Sequence, residues 1–120
     1  MNLTPAPMLE IRAGNKTIEL RLNDEKRKQI SVGDAIKFIN TEDSKDTLRV
    51  TVVDLFVFSS FAELYDNLPL LKCGYNEDNI TTASPDDMDI YYPKEKQNQY
   101  GVVGIGYRQD LCAKLFAGSG

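Results

Sequence analysis

The sequence predicts an α+β fold, and three observations carry that expectation. From Thr17 to Leu22 polar and apolar residues alternate, the period-two pattern of a half-buried strand. Thr47 to Phe58 is the longest β-rich run, with Val50, Val52, Val53, Leu55, Phe56 and Val57. Around these strands stand the start signals of short helices: Thr4-Pro5, Ser60-x-x-Glu63 and Ser84-Pro85-Asp86-Asp87. At 120 residues the chain is expected to be one domain that buries its own core.

In chain order, Thr4 is placed to cap a helix whose first position is Pro5, and Gly14 stands where a C-terminal glycine would, so residues 5–13 are expected to be helical. Pro7 falls in the first turn, where a missing N–H costs little, and Met8, Leu9 and Ile11 supply the apolar face. The strand from Thr17 directs Ile18, Leu20 and Leu22 inward and gathers Thr17, Glu19 and Arg21 on the other face. Asn23 to Gln29 is mixed in charge and lacks apolar periodicity, which predicts a solvated loop; its Lys26-Arg27-Lys28 core offers phosphate binding as the alternative. After the Gly33-Asp34 turn, Ala35 to Ile39 reads as a strand, and the polar cluster Asn40 to Asp46 as the turn of a hairpin. The run that follows is apolar on both sides except Asp54, which fits a strand covered on both faces with Asp54 at a bulge or bonded to backbone. Ser60 opens a helix that Pro69 stops, Leu70 to Thr82 is irregular, and Ser84 opens another short helix. Pro93 starts a helical turn through Gln97, and Tyr100 to Tyr107 is the last strand. Residues 109–120, ending Ala-Gly-Ser-Gly, are expected to form a flexible tail.

Composition limits the function. No apolar run approaches the roughly 20 residues that span a membrane, and Met1-Asn2-Leu3-Thr4-Pro5 has neither the basic start nor the apolar core of a signal peptide. A cytoplasmic protein is expected. Fourteen basic against 18 acidic residues give a net charge of −4, the opposite of a protein that binds nucleic acid through counterion release. A confined cationic pocket for one nucleotide, or an RNA held partly by stacking, is compatible with that exterior. There is no His, which removes Ser-His and Cys-His machinery together with the commonest metal ligand. Cys73 and Cys112 are far apart and outside any CxxC spacing, so free thiols are expected. Asp86, Asp87 and Asp89 lack the glycine turn and closing Glu of a calcium loop, and a helix N-terminus accounts for acids there. Neither a metal nor a cofactor is expected.

Chemistry concentrates at residues 14–21. Gly14 and Lys16 lead directly into a strand that carries Glu19 and Arg21 on one face, so a turn delivers a cation beside a carboxylate and a guanidinium. Glu and Arg two apart on a strand also occur as a solvated pair worth roughly 0 to 1 kcal/mol. Together the three can hold a phosphate or carbonyl oxygen through Lys and Arg and accept from an amine or ring N–H through Glu, a set suited to a nucleobase. Arg12, at the end of the first helix, is a second-tier candidate, and Tyr75 beside Gly74 is a candidate stacking ring.

Gly14, Lys16, Thr17, Glu19 and Arg21, in the pattern Gly-x-Lys-Thr-x-Glu-x-Arg, resemble the signature of the ASCH family. Val32-Gly33-Asp34 with Ile36-Lys37-Phe38 resembles that family's next hairpin, and Tyr100-Gly101-Val102-Val103-Gly104-Ile105 its closing strand. The resemblance covers most of residues 5–108. It implies a small PUA-like mixed β-barrel with peripheral short helices and a cleft for RNA or a nucleotide-like ligand; the motif residues Lys16, Thr17, Glu19 and Arg21 are its candidate contacts, and Arg12 and Tyr75 join them from the reading above. One branch of the family is similar to amidohydrolases that deacetylate N4-acetylcytidine through a Lys-Thr-x-Thr pattern and a distant Glu. Lys16 and Thr17 match it, whereas Glu19 stands at the position of the nucleophilic Thr. Lys16 and Glu19 are then the candidate catalytic pair, and Glu63 and Glu77 the candidates for the distant acid. Binding of RNA or a nucleoside therefore comes first and hydrolysis, including the ribonuclease activity of other relatives, second. A protein-interaction module with a vestigial cleft is the third reading.

Overall fold

The structure is a computed structural model, and it describes residues 1–110. Its centre is a five-stranded curled half-barrel sheet in the order β1-β3-β4-β5-β2, with β1 (Asn2–Leu3), β2 (Ile18–Leu22), β3 (Ala35–Asn40), β4 (Asp43–Phe58) and β5 (Val102–Gln109). β1 runs parallel to β3, and every other pairing is antiparallel. Short helices surround the sheet: α1 (Pro5–Arg12), α2 (Glu25–Lys28), α3 (Phe61–Asn67) and α4 (Lys94–Tyr100). Three 3-10 turns, Leu70–Lys72, Ile80–Thr82 and Pro85–Ile90, break up the link between α3 and α4. The α+β class and the PUA-like half-barrel agree with the sequence reading. Among the described residues no helix is long and apolar enough to cross a membrane.

Each face of the sheet carries its own buried cluster. On one face Leu3, Met8, Ile11, Phe38, Val50, Val52, Val103 and Ile105 pack beneath α1. On the other, Ile18, Leu20, Leu22 and Val102 pack against Phe61, Leu64 and Tyr65 of α3. β5 can serve both because Gly104 has no side chain: a Cβ there would lie 2.7 Å from Leu68 Cδ1 and 3.3 Å from Ile18 Cγ2. Leu68 and Ile18 occupy the space a side chain would take.

Several local expectations are corrected. Asn23 to Gln29 is not a loop throughout, because Asp24 accepts the backbone N–H of Arg27 at 3.0 Å and caps the single turn α2. One turn is too short to show periodicity. Thr4 has the extended backbone of an N-cap, but its side chain makes no capping bond. Ser60 accepts from Glu63 N at 3.2 Å, while the Glu63 carboxylate turns to Ser59, so half of the expected box forms. The full box is at Ser84 and Asp87, and it opens a 3-10 turn.

β4 starts at Asp43, earlier than expected, since Asn40 and Asp43 tie back Glu42 N and Lys45 N and shorten the turn. It is not covered on both faces throughout: Val53 and Val57 are exposed. The bulge expected at Asp54 is there, as a register shift between Val52 and Asp54. Tyr100 belongs to α4 instead of the last strand, because Gly101, at φ 71°, separates the two. Gln109 is still in β5; the remainder of the expected tail from 111 on, and Cys112 with it, lies outside the described residues.

Candidate functional site

Lys16, Glu19 and Arg21 meet at the edge of the sheet. Gly14, at φ 83°, ends α1 and turns the chain so that Lys16 enters β2 from above. Alternation then puts Glu19 and Arg21 on the same face, opposite Ile105 and Val103 of β5. Lys16 Nζ donates to Glu19 Oε1 at 2.5 Å. Arg21 donates to Glu19 Oε2 through Nε at 2.9 Å and Nη2 at 2.7 Å. The side chains are 9%, 5% and 16% exposed for Lys16, Glu19 and Arg21.

These are not the loosely solvated charges of a surface pair. The aliphatic stem of Lys16 runs under Gly74, where a Cβ would lie 3.7 Å from Lys16 Cδ. Gly74 at φ 115° thus lets the following loop close over a lysine. Burying two cations and a carboxylate costs several kcal/mol per ion, so the arrangement depends on both Glu19 oxygens being used. Burial opposes the Arg21 charge, but the Glu19 carboxylate and the Tyr92 hydroxyl outweigh it and hold the guanidinium pKa above its ordinary value. One carboxylate between two cations leaves the group with one net positive charge. Arg21 also reaches Asn2 O at 3.1 Å, so its side chain links β2 to β1, the two edges of the open half-barrel.

The triad forms the floor of a cleft of about 1010 Å³. One wall is α1 with the residues before it. The other is the irregular stretch from Cys73 to Tyr92. That second wall is held by hydroxyls: Tyr65 Oη and Tyr75 Oη are 2.8 Å apart, and Tyr75 donates to Asp87 Oδ2 at 2.7 Å. Four tyrosines, Tyr65, Tyr75, Tyr91 and Tyr92, line the cleft, which makes it aromatic on one side. Burial raises the pKa of Tyr65, Tyr75 and Tyr92, keeping their hydroxyls protonated at neutral pH. Cys73, also in the lining, is pushed up to about 11 by burial, although Lys16 pulls the other way, so it is a thiol and not a nucleophilic thiolate.

Of the residues the sequence singles out, Lys16, Glu19, Arg21 and Tyr75 come together at the cleft. Thr17 does not line it; its backbone N–H donates to Lys72 O and its carbonyl accepts from Tyr107 N. Arg12 turns away to Asp46 and Thr47 O, at 2.6 and 3.0 Å. Glu63 and Glu77 are outside the lining as well; the carboxylates that do line it are Glu10, Glu19, Asp86 and Asp87. Sequence reasoning missed Tyr65, Tyr91 and Tyr92, and the one available signal was the concentration of tyrosine between 65 and 92. Among the described residues no group of His, Cys, Asp and Glu is arranged to hold a metal ion.

The ASCH domain model matches residues 1–109. The chain belongs to the ASCH domain family. It is similar to the crystal structure of the hypothetical protein PH0355, at 32% identity and TM-score 0.71 over 92% of this chain and 96% of that one. It is also similar to the solution structure of protein PF0455 from Pyrococcus furiosus, at 33% identity and TM-score 0.69 over 91% and 94%. No curated protein matches this ASCH chain.

Proposed function

We propose that the cleft of this ASCH protein binds a nucleobase, presented as a nucleoside, a nucleotide or part of an RNA, and that the protein acts in RNA metabolism. The observation that carries this reading is a buried Lys16-Glu19-Arg21 group beneath a wall of tyrosines. Lys16 uses one of its three N–H donors on Glu19, which leaves others for a base carbonyl. Tyr75, Tyr91 and Tyr92 line the cleft, with Tyr92 already stacked on Phe61, and stacking of a base on an aromatic side chain is worth roughly 1 to 3 kcal/mol. The fixed donors discriminate against ligands that lack the matching acceptors, because a buried charge left without a partner is costly.

Hydrolysis stands second in this reading. Glu19, the candidate base, uses one lone pair of Oε1 on Lys16 and both of Oε2 on Arg21, which leaves a single lone pair on Oε1 for a water. Thr17, the neighbouring hydroxyl, does not face the cleft. Calorimetric titration of nucleosides, nucleotides and short RNAs tests the proposal. Wild type is expected to bind at least one of them and Arg21→Ala to bind it at least tenfold more weakly. An absence of binding across the panel at millimolar ligand overturns the reading.

A further inference from the structure

A second, smaller cavity of about 150 Å³ lies on the same face of the sheet as Glu19 and Arg21. The register fixes this relation. Arg21 pairs with Val103, and Val103 pairs with Val57, so the three form one row across β2, β5 and β4. Glu19, Ile105 and Leu55 form the adjacent row. Leu55, Val57 and Val103 line the second cavity, which therefore begins one strand from Arg21 and extends to the next, about 5 to 10 Å away at the usual strand spacing.

Its polar lining comes from the turn that follows β2: Asn23, Arg27 and Lys28. The Arg27 side chain is 18% exposed and pairs with Asp24 through Nη1 at 3.2 Å. Its Nε is buried without a hydrogen-bond partner among the described residues. A buried guanidinium donor without an acceptor is a cost that a bound oxyanion removes. Lys28 contributes a second cation, paired with Glu25 at 4.0 Å in an exposed contact that costs little to break. After burial itself, Arg21, then Lys26 and Arg27, oppose the charge of the Met1 amine while Glu19 favours it, so these three cations lie within electrostatic reach of one group. Glu10, Asp86 and Asp87 also line the main cleft and disfavour a phosphate beside them.

We propose that Arg27, with Asn23 and Lys28, forms a phosphate subsite that continues the cleft, so that a ligand whose base sits over Lys16, Glu19 and Arg21 places a phosphate beside α2. This rests on the nucleobase reading above and specifies the part of the ligand that reading leaves open. The phosphate belongs either to a nucleotide or to the backbone of a single-stranded RNA.

Titrations of wild type, Arg27→Ala and Lys28→Ala with a nucleoside, its 5′- and 3′-monophosphates and a tetranucleotide carrying the same base separate these cases. Wild type should bind at least one phosphate-bearing ligand about tenfold more tightly than the nucleoside. Both variants should lose most of that gain while binding the nucleoside as wild type does. A gain from a monophosphate alone identifies a nucleotide; a gain that needs the tetranucleotide identifies RNA, with a salt slope shallower by about 0.7 for each phosphate contact the variant loses. Lys28→Ala, at an exposed position, keeps the test available if Arg27→Ala folds poorly. No gain in wild type, or a gain that survives both substitutions, overturns the subsite and leaves the nucleobase reading intact. A protein that binds neither nucleoside nor phosphate-bearing ligand overturns both.

Discussion

The floor of the cleft and its tyrosine wall hold their side chains by different means. On the floor, β2 is one strand of a sheet, with five residues in register with β5, and the backbone ladder fixes where Glu19 and Arg21 point. In the wall, Cys73 to Tyr92 has no ladder; 3-10 turns and side-chain hydroxyl bonds such as Tyr75 to Asp87 set its shape. The charges of the floor are buried and depend on one another, whereas the ion pairs of the wall, such as Lys94 with Asp86 at 2.9 Å, face solvent. Substitutions in the floor should therefore change folding and binding together, and those in the wall should leave folding nearly intact.

Glu19→Gln tests the floor most severely. It keeps the shape but leaves Lys16 and Arg21 as buried cations without their carboxylate, and breaking such a group costs about 3 to 5 kcal/mol. A fall in the melting temperature of more than about 10 °C is expected. Lys16→Ala should also destabilise, by a smaller amount, because it leaves the buried Glu19 Oε1 without its donor while Arg21 keeps the carboxylate paired. A melting temperature within about 2 °C of wild type for Glu19→Gln would show that the triad is not buried as described.

Gly104→Ala comes next. The added methyl collides with Leu68 Cδ1, and overpacking of this kind costs about 1 to 3 kcal/mol, measurable by urea denaturation. Combining it with Leu68→Ala should reduce the penalty of the glycine substitution; full additivity would place the clash elsewhere.

In the wall, Tyr75→Phe removes one hydroxyl and should cost about 0.5 to 1.5 kcal/mol. It also changes the acid limb of the stability profile. The Tyr75 hydroxyl first, and then Ser84 N–H, hold the Asp87 pKa below its ordinary 3.8. The stability this carboxylate contributes is therefore present above pH 3.8 and lost as pH falls through its lower folded value. Tyr75→Phe should make the melting temperature less sensitive to pH below about 4, and an unchanged acid limb would remove Asp87 from the account. The smallest effect is expected for Lys94→Ala, whose solvent-facing pairs with Asp86 and Asp89 should leave the melting temperature unchanged within error.

The same contrast explains what could be read from the sequence. The Glu19-Arg21 face was legible because alternation along a strand is local and five residues suffice to show it. The resemblance around Gly14 to Arg21 and Tyr100 to Ile105 pointed to the family that the match over residues 1–109 shows. The burial of Lys16 was not legible, since it depends on Gly74 closing over a side chain 58 positions earlier in the chain. Nor was the tyrosine wall, because its hydroxyl bonds join residues 10 and 12 positions apart through a segment without a repeating pattern. Nor does the position of Arg12 at the end of α1 reveal its direction, since its side chain reaches Asp46 and not the cleft. The mixed charges of Asn23 to Gln29 concealed α2, although Asp24 three residues before Arg27 is a capping signal.

The central claim is that floor and wall enclose one nucleobase, and amide NMR during a nucleoside titration tests it directly. The account predicts saturable shifts at residues 16–21 together with residues 73–76 and 88–92, from both sides of the cleft at a single dissociation constant. Shifts confined to one side, shifts at a different surface, or none at millimolar nucleoside would contradict it.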